Sequence, residues 1–167
     1  MSTTLIPTEP LLIHPFEPVW NEHAKVLILG SFPSVVSREK NFYYANPGNR
    51  FWRVMAAVFE TEITDRRQFC LDHGIALWDV IRSCRIHGSS DASITDVSVN
   101  DIASFAAGTK IRAVFTTGAK AGRLYERYVQ CELPHISLPS TSGANARMNA
   151  DDLIRAYRII RTYAEKD

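Results

Sequence analysis

The sequence predicts an α/β fold: a single three-layer domain in which a central, mostly parallel four-stranded sheet is flanked by helices. Three observations carry that expectation. Four short apolar runs, at 24–30 (AKVLILG), 75–81 (IALWDVI), 111–118 (IRAVFTTG) and 135–139 (HISLP), have the length and continuous hydrophobicity of strands buried on both faces. Helical patterns separate them, and strand alternating with helix favours parallel pairing. The 167 residues, 46% hydrophobic, suffice for one core but not for two separately folded halves.

In chain order, 1–23 reads as an irregular N-terminal lead-in, because Pro7, Pro10, Pro15 and Pro18 interrupt any ladder; the domain is expected over 24–167. After the first strand, Phe51, Val54, Met55 and Val58 recur at spacings of three and four and form one helical stripe. Asn100 or Asp101 is placed to cap a helix through Ile102 and Phe105, and 119–129 reads as another. Asn149 is an N-cap candidate for a closing helix that carries Leu153, Ile154, Tyr157 and Ile160.

Composition narrows the function. Nineteen Lys and Arg against 18 Asp and Glu give a net charge of +1, so any contact with a polyanion must be a local patch. Fourteen of the 19 basic residues are Arg, the side chain suited to bidentate phosphate contacts. Cys70, Cys84 and Cys131 form no CxxC pair, and the five histidines show no HExxH spacing, so no metal and no cofactor is expected. There is no apolar run of membrane-spanning length and no signal-peptide pattern at the start, which points to a cytoplasmic protein without a membrane partner. GxGxxG and Walker A patterns are missing, and Ser142 lacks the preceding glycine of a nucleophile elbow.

In open parallel sheets ligands bind beyond the carboxyl ends of the strands, which directs attention to three exit loops. The first, 30–49, is about twenty residues long and places Phe42, Tyr43 and Tyr44 beside Asn41, Asn46 and Asn49. Aromatic rings stack on nucleobases and carboxamides read their edges, although 45–48 (ANPG) is equally the sequence of a type II turn. The last loop carries Ser140, Thr141, Ser142 and Gly143, with Asn145 and Arg147 ahead of the closing helix, a composition suited to phosphate. The middle loop, 82–99, offers Arg82 and Arg85.

Jointly these loops resemble the uracil-DNA glycosylase superfamily. GSFP at 30–33, Tyr44, and PGNRFW at 47–52 match the first motif of its mismatch-specific uracil/thymine-DNA glycosylase branch, and LPSTSG at 138–143 ahead of Ala156, Tyr157 and Arg158 matches the second. The hypoxanthine-DNA (deoxyinosine) glycosylase family is more similar still, in YYANP at 43–47, the Gly74 to Val80 run and LPSTS at 138–142. The resemblance covers residues 26–157. It implies a monofunctional hydrolase of base excision repair that flips a deaminated base out of DNA, above all hypoxanthine, and breaks its N-glycosidic bond without a cofactor. A uracil or mismatch-specific glycosylase, or a non-catalytic DNA-binding member, is the alternative. Where the superfamily's first motif has its catalytic amide or carboxylate, this chain has Phe32, which cannot orient a water. The hypoxanthine family shares that departure and uses an asparagine elsewhere in the first loop, which implies Asn49, with Asn46 second. The resemblance further implies a base pocket of Ser31, Phe32, Tyr44 and Ser140. DNA contacts are expected at Ser142, Gly143, Asn145, Arg147, Arg82 and Arg85, and the protein is expected to act as a monomer on DNA containing deaminated bases.

Overall fold

The computed structural model describes residues 9–166. Four strands form the central sheet: β2 (Val26–Gly30), β3 (Ile75–Asp79), β6 (Ala113–Thr117) and β7 (His135–Leu138), in the spatial order β3-β2-β6-β7 and all parallel. Period-two alternation within β2 divides the core. Val26 and Ile28 point into one apolar layer, which they share with α2 (Phe51–Val58), α3 (Arg66–Asp72) and α6 (Ala150–Glu165). Leu27 and Leu29 point into the other, with α4 (Ile102–Ala107) and α5 (Ala119–Tyr128). A strand with both faces covered has to be apolar throughout, and all five residues of β2 are buried. None of the described helices is long and apolar enough to cross a membrane.

The structure departs from the sequence reading in three places. The segment expected to be an irregular lead-in contains β1 (Leu11–Ile13), antiparallel to β4 (Ile81–Arg85), and Val19 bridges Leu77 of β3; residues 1–8 lie outside the described part. Alternating exposure along β1 was too short to register as a period beside the prolines. The middle loop is not a loop: β4 and β5 (Thr95–Val99) pair across a 3-10 turn at Asp91–Ser93, completing a three-stranded antiparallel sheet in the order β1-β4-β5. The apolar run 75–81 therefore spans two sheets. The amides of Val80 and Ile81 still donate to the carbonyls of Gly30 and Ser31, while the side-chain amide of Asn100 donates to the carbonyl of Asp79 at 2.8 Å, so the chain turns out of the parallel sheet at Val80. Third, the first exit loop holds a short helix, α1 (Val35–Lys40), capped by the Ser34 hydroxyl and closed by Asn41 in the left-handed conformation.

The helix caps follow the sequence reading. Asp101 accepts from the amide of Ser104 at the start of α4, and Asn149 accepts from Asp152 while the Asp152 carboxylate accepts from the Asn149 amide, a complete capping box. The apolar face of α6 is pinned at Tyr157, fully buried, whose hydroxyl donates to the Pro139 carbonyl at 2.6 Å. This bond ties the closing helix to the exit of β7. Replacing Asn149 by Ala is expected to destabilise the fold by about 1 kcal/mol, read as a lower urea midpoint at unchanged slope.

Candidate active site

The spatial order of the parallel strands reverses between β2 and β6, and a crevice opens beyond their carboxyl ends there. A cavity of about 400 Å³ occupies it, walled by Gly30 at the end of β2 and Ser31 just after it, Asp79 from β3, Thr117 from β6 and the loop after β7. Gly30 decides the shape of its floor. A Cβ built on Gly30 would stand 2.7 Å from Asp79 Oδ1, 3.5 Å from Tyr44 Oη and 3.7 Å from Thr117 Oγ1, so only glycine lets these three groups converge.

The first loop contributes Tyr44 and Asn49. Tyr44 has a φ of 51°, a conformation costly for an aromatic residue, and two contacts hold it there. One face of its ring stacks on Phe51, with centroids 3.9 Å apart, and its hydroxyl meets Thr117 Oγ1 at 3.0 Å. Burial raises the phenol well above its ordinary pKa, so the hydroxyl stays neutral. The turn that follows lies one residue later than the type II turn its sequence suggests. Gly48 does not take a positive φ; the Asn49 amide donates to the Asn46 carbonyl, and Asn46 Oδ1 accepts from the Gly48 amide. An asparagine side chain that satisfies the turn internally makes the left-handed glycine unnecessary. Asn46 is thereby exposed at the rim with its carbonyl oxygen occupied.

Asn49 lines the cavity with its Oδ1 tied off, accepting from the Phe51 amide at 2.9 Å and from Thr141 Oγ1 at 2.8 Å. Its NH₂ group is the part left to act on a ligand. The Thr141 bond joins the first and last loops, and Arg50 does so more extensively. Its guanidinium donates to the carbonyls of Met148, Ser142 and Asn145 at 2.6, 2.9 and 2.9 Å, and the Arg50 amide donates to the Thr141 carbonyl. A Cβ on Gly143 would come within 2.9 Å of the Gly48 carbonyl oxygen, so the two loops touch backbone to backbone.

Within the last loop, Ser140 Oγ accepts from the Ser142 amide, Ser142 Oγ from the Ala144 amide, and the Asn145 side chain donates to the Ser140 carbonyl. Ser140, Ser142 and Gly143 line the cavity, while Arg147 is exposed beyond it. Of the base-pocket candidates, Ser31, Phe32, Tyr44 and Ser140 all reach the same cavity wall. Arg82 and Arg85 do not. They lie on β4 of the small sheet, where Arg85 pairs with Asp96 at 2.8 Å.

Several polar groups were not singled out from the sequence. Asp91, in the 3-10 turn, is exposed on the cavity wall and accepts from Ser31 Oγ at 2.8 Å. Asp79 is 4% exposed and its Oδ2 lies 2.7 Å from His14 Nε2. Burial pushes the Asp79 carboxyl above the usual carboxylate range, against the pull of His14 and the Gly30 amide. A carboxylate ending an otherwise apolar strand run was the available signal for Asp79. Nothing comparable marked His14, which reaches the site only because β1 pairs with β4.

Residues 17–161 match the model of the uracil DNA glycosylase superfamily. A protein of Methanosarcina acetivorans named hypoxanthine DNA glycosylase is 36% identical over 140 residues, covering 80% of this chain and 89% of the relative. Its namesake in Methanosarcina barkeri is 32% identical over 139 residues, covering 79% and 87%. A solution NMR structure of a uracil DNA glycosylase candidate from Methanosarcina acetivorans superposes with a TM-score of 0.72 at 31% identity, over 89% of this chain and 99% of that one. With a parallel sheet of the same design and a matching segment that runs from before β2 into α6, this chain belongs to the uracil DNA glycosylase superfamily.

Proposed function

We propose that the protein is a monofunctional DNA glycosylase that releases hypoxanthine from deoxyinosine in DNA, leaving an abasic site. The observation that carries this reading is the cavity at the strand ends, which presents the Asn49 NH₂ group beside Tyr44 in a chain whose first-motif amide position is Phe32. Two relatives named for hypoxanthine support the choice of base.

The chemistry follows from the cleavage itself. A base inside a duplex has to leave the stack before its glycosidic bond is accessible, and a mispaired base costs least to extrude. The flipped ring enters against Tyr44, whose far face is already backed by Phe51 and therefore does not yield. As C1′–N9 breaks, positive charge develops on the sugar and negative charge on the purine. A sugar cation needs only a water held in place, and the Asn49 NH₂, fixed by the two bonds to its oxygen, holds it without reorganisation. Backbone amides at Ser31 and Phe32, with the Ser140 hydroxyl, donate to the purine. The Asp91 carboxylate on the wall favours the cationic sugar.

On the DNA side, Ser142 and Gly143 approach the backbone and Arg147 enters the space the base has left, while Asn145, bonded to the Ser140 carbonyl, stiffens the loop. The enzyme acts as a monomer, in the cytoplasm.

Replacing Asn49 by Ala is expected to lower single-turnover excision of deoxyinosine by about 100-fold or more, with affinity for an abasic duplex held within about threefold. Alkali-induced strand scission and gel shift report the two quantities. Equal loss of both would make Asn49 a folding residue, and wild-type protein that binds abasic DNA yet spares every deaminated base would make the protein a binding module. Tyr44→Ala is expected to weaken capture of a deoxyinosine duplex by roughly tenfold, the value of one stacked base. Unchanged excision at sub-saturating enzyme would remove the stacking role.

A further inference from the structure

A second concavity lies away from the strand ends. It is an open groove of about 510 Å³ between α5 and β7, and it shares no lining residue with the cavity described above. β7 is the last strand in the order β3-β2-β6-β7, and no element of the described residues pairs with its far side. In a parallel ladder alternate residues bond one neighbour. The Val114 amide donates to the Pro134 carbonyl and the Gly118 amide to the Leu138 carbonyl, so Pro134, Ile136 and Leu138 serve β6. His135 and Ser137 lie between them and turn their backbone N–H and C=O outward, two donors and two acceptors in the arrangement of a sheet edge.

The α5 wall stands close to this edge because Gly122 has no side chain; a Cβ there would come within 2.9 Å of Ser137 Oγ. His135 is fixed through both ring nitrogens. Nε2 lies 2.8 Å from Thr116 Oγ1 and Nδ1 2.7 Å from Glu126 Oε1. The second of these contacts occupies the carboxylate that lines the groove. Arg123 and Arg127 line the same wall, exposed and one helical turn apart, and neither has a carboxylate partner among the described residues, where the paired arginines are Arg85, Arg155 and Arg161. Arg127 rests only against the ring of its neighbour Tyr128. The wall that faces the free edge is therefore positive.

Residues four apart on a helix are separated by a rise of about 6 Å, and alternate residues of a strand by about 6.7 Å. A strand added to β7 thus presents side chains on its α5 side at nearly the spacing of Arg123 and Arg127. We propose that this groove docks an extended segment of an acidic partner protein, added to the sheet beside β7, with carboxylates at alternate positions paired to the two arginines. Two outward-facing residues allow four backbone bonds at most, so the arginines carry the selectivity. A second copy of this chain is the poorer occupant. Antiparallel pairing of two β7 strands, about an axis normal to the sheet, sets the two arginine walls side by side, like charge against like. The site goes beyond the glycosylase reading and does not depend on it.

The test uses the full-length protein labelled with ¹⁵N and two end-capped peptides, TVEVEVT and TVKVKVT, titrated at low ionic strength and read at backbone amides. TVEVEVT is expected to shift the His135 and Ser137 amides with a Kd below about 1 mM, and TVKVKVT to bind at least about tenfold more weakly. Reversing the wall, Arg123→Glu together with Arg127→Glu, is expected to invert that preference, a response that a merely structural role for the arginines would not give. Ser137→Pro removes an outward N–H that β6 does not use and is expected to weaken TVEVEVT at least about tenfold; should that variant fail to fold, the charge-reversed pair, altered only at exposed side chains, decides. No shift at β7 at about 1 mM of either peptide would overturn the proposal, as would shifts confined to Asn49 and Ser140, equal binding of the two peptides, a preference that survives charge reversal, or a folded Ser137→Pro variant that binds as the wild type does. A twelve-nucleotide oligothymidylate that moves the same β7 amides and displaces TVEVEVT would overturn it in favour of nucleic acid. Sedimentation of the wild type as a dimer that Ser137→Pro dissociates would overturn it in favour of a second copy.

Discussion

The missing side chain of Gly30 is the constraint on which the site depends. At the carboxyl end of β2, one of the two inner strands of the parallel sheet, any Cβ would collide with Asp79 Oδ1 at 2.7 Å. Removing it lets a carboxyl, a phenol and a hydroxyl from three other elements converge over one backbone position. The cavity is the space that this convergence leaves. Its position follows from topology, since parallel strands all end at the same side and the order reverses between β2 and β6.

Holding polar groups there requires that they be satisfied, and the structure does so before any ligand arrives. Thr117 meets Tyr44, Asn49 accepts twice, His14 occupies one oxygen of Asp79, and Ser31 bonds Asp91. Each bond leaves a defined remainder facing the cavity: a ring face, an NH₂, an acceptor oxygen. Preorganisation of this kind lets weak groups act strongly, because nothing has to rotate when charge develops. The left-handed backbone at Tyr44 is strain retained for the same end, held by the stack on Phe51.

Arg50 gives the two motif loops a single fate. Three carbonyls of the last loop accept from its guanidinium, and its own amide donates back to Thr141, at the first turn of α2. Buried carbonyl oxygens in an irregular loop need donors, and a planar five-donor group can serve several at once. The loop that would meet DNA is therefore rigid at its base and exposed at Gly143, Ala144 and Arg147.

Patterns local in the chain were legible in the sequence. The central strands announced themselves because a strand buried on both faces has to be apolar throughout, and the capping asparagine and aspartate of α6 and α4 because a cap is a bond between neighbours. Motif residues Ser31, Tyr44, Asn49 and Ser140 were legible through family resemblance, and the structure brings them to one cavity. What the sequence left unmarked depends on contacts between distant positions. β1 is three residues long among prolines, and it exists because β4 offers an edge. The turn at 46–49 took a different form because the Asn46 side chain replaced a left-handed glycine. His14 and Asp79 are 65 residues apart and carry no shared motif. Local composition determines which segments are strand or helix, because period and capping are short-range. Only the tertiary structure decides which polar atoms are left unpaired around a cavity, because that depends on every other bond those atoms have already made.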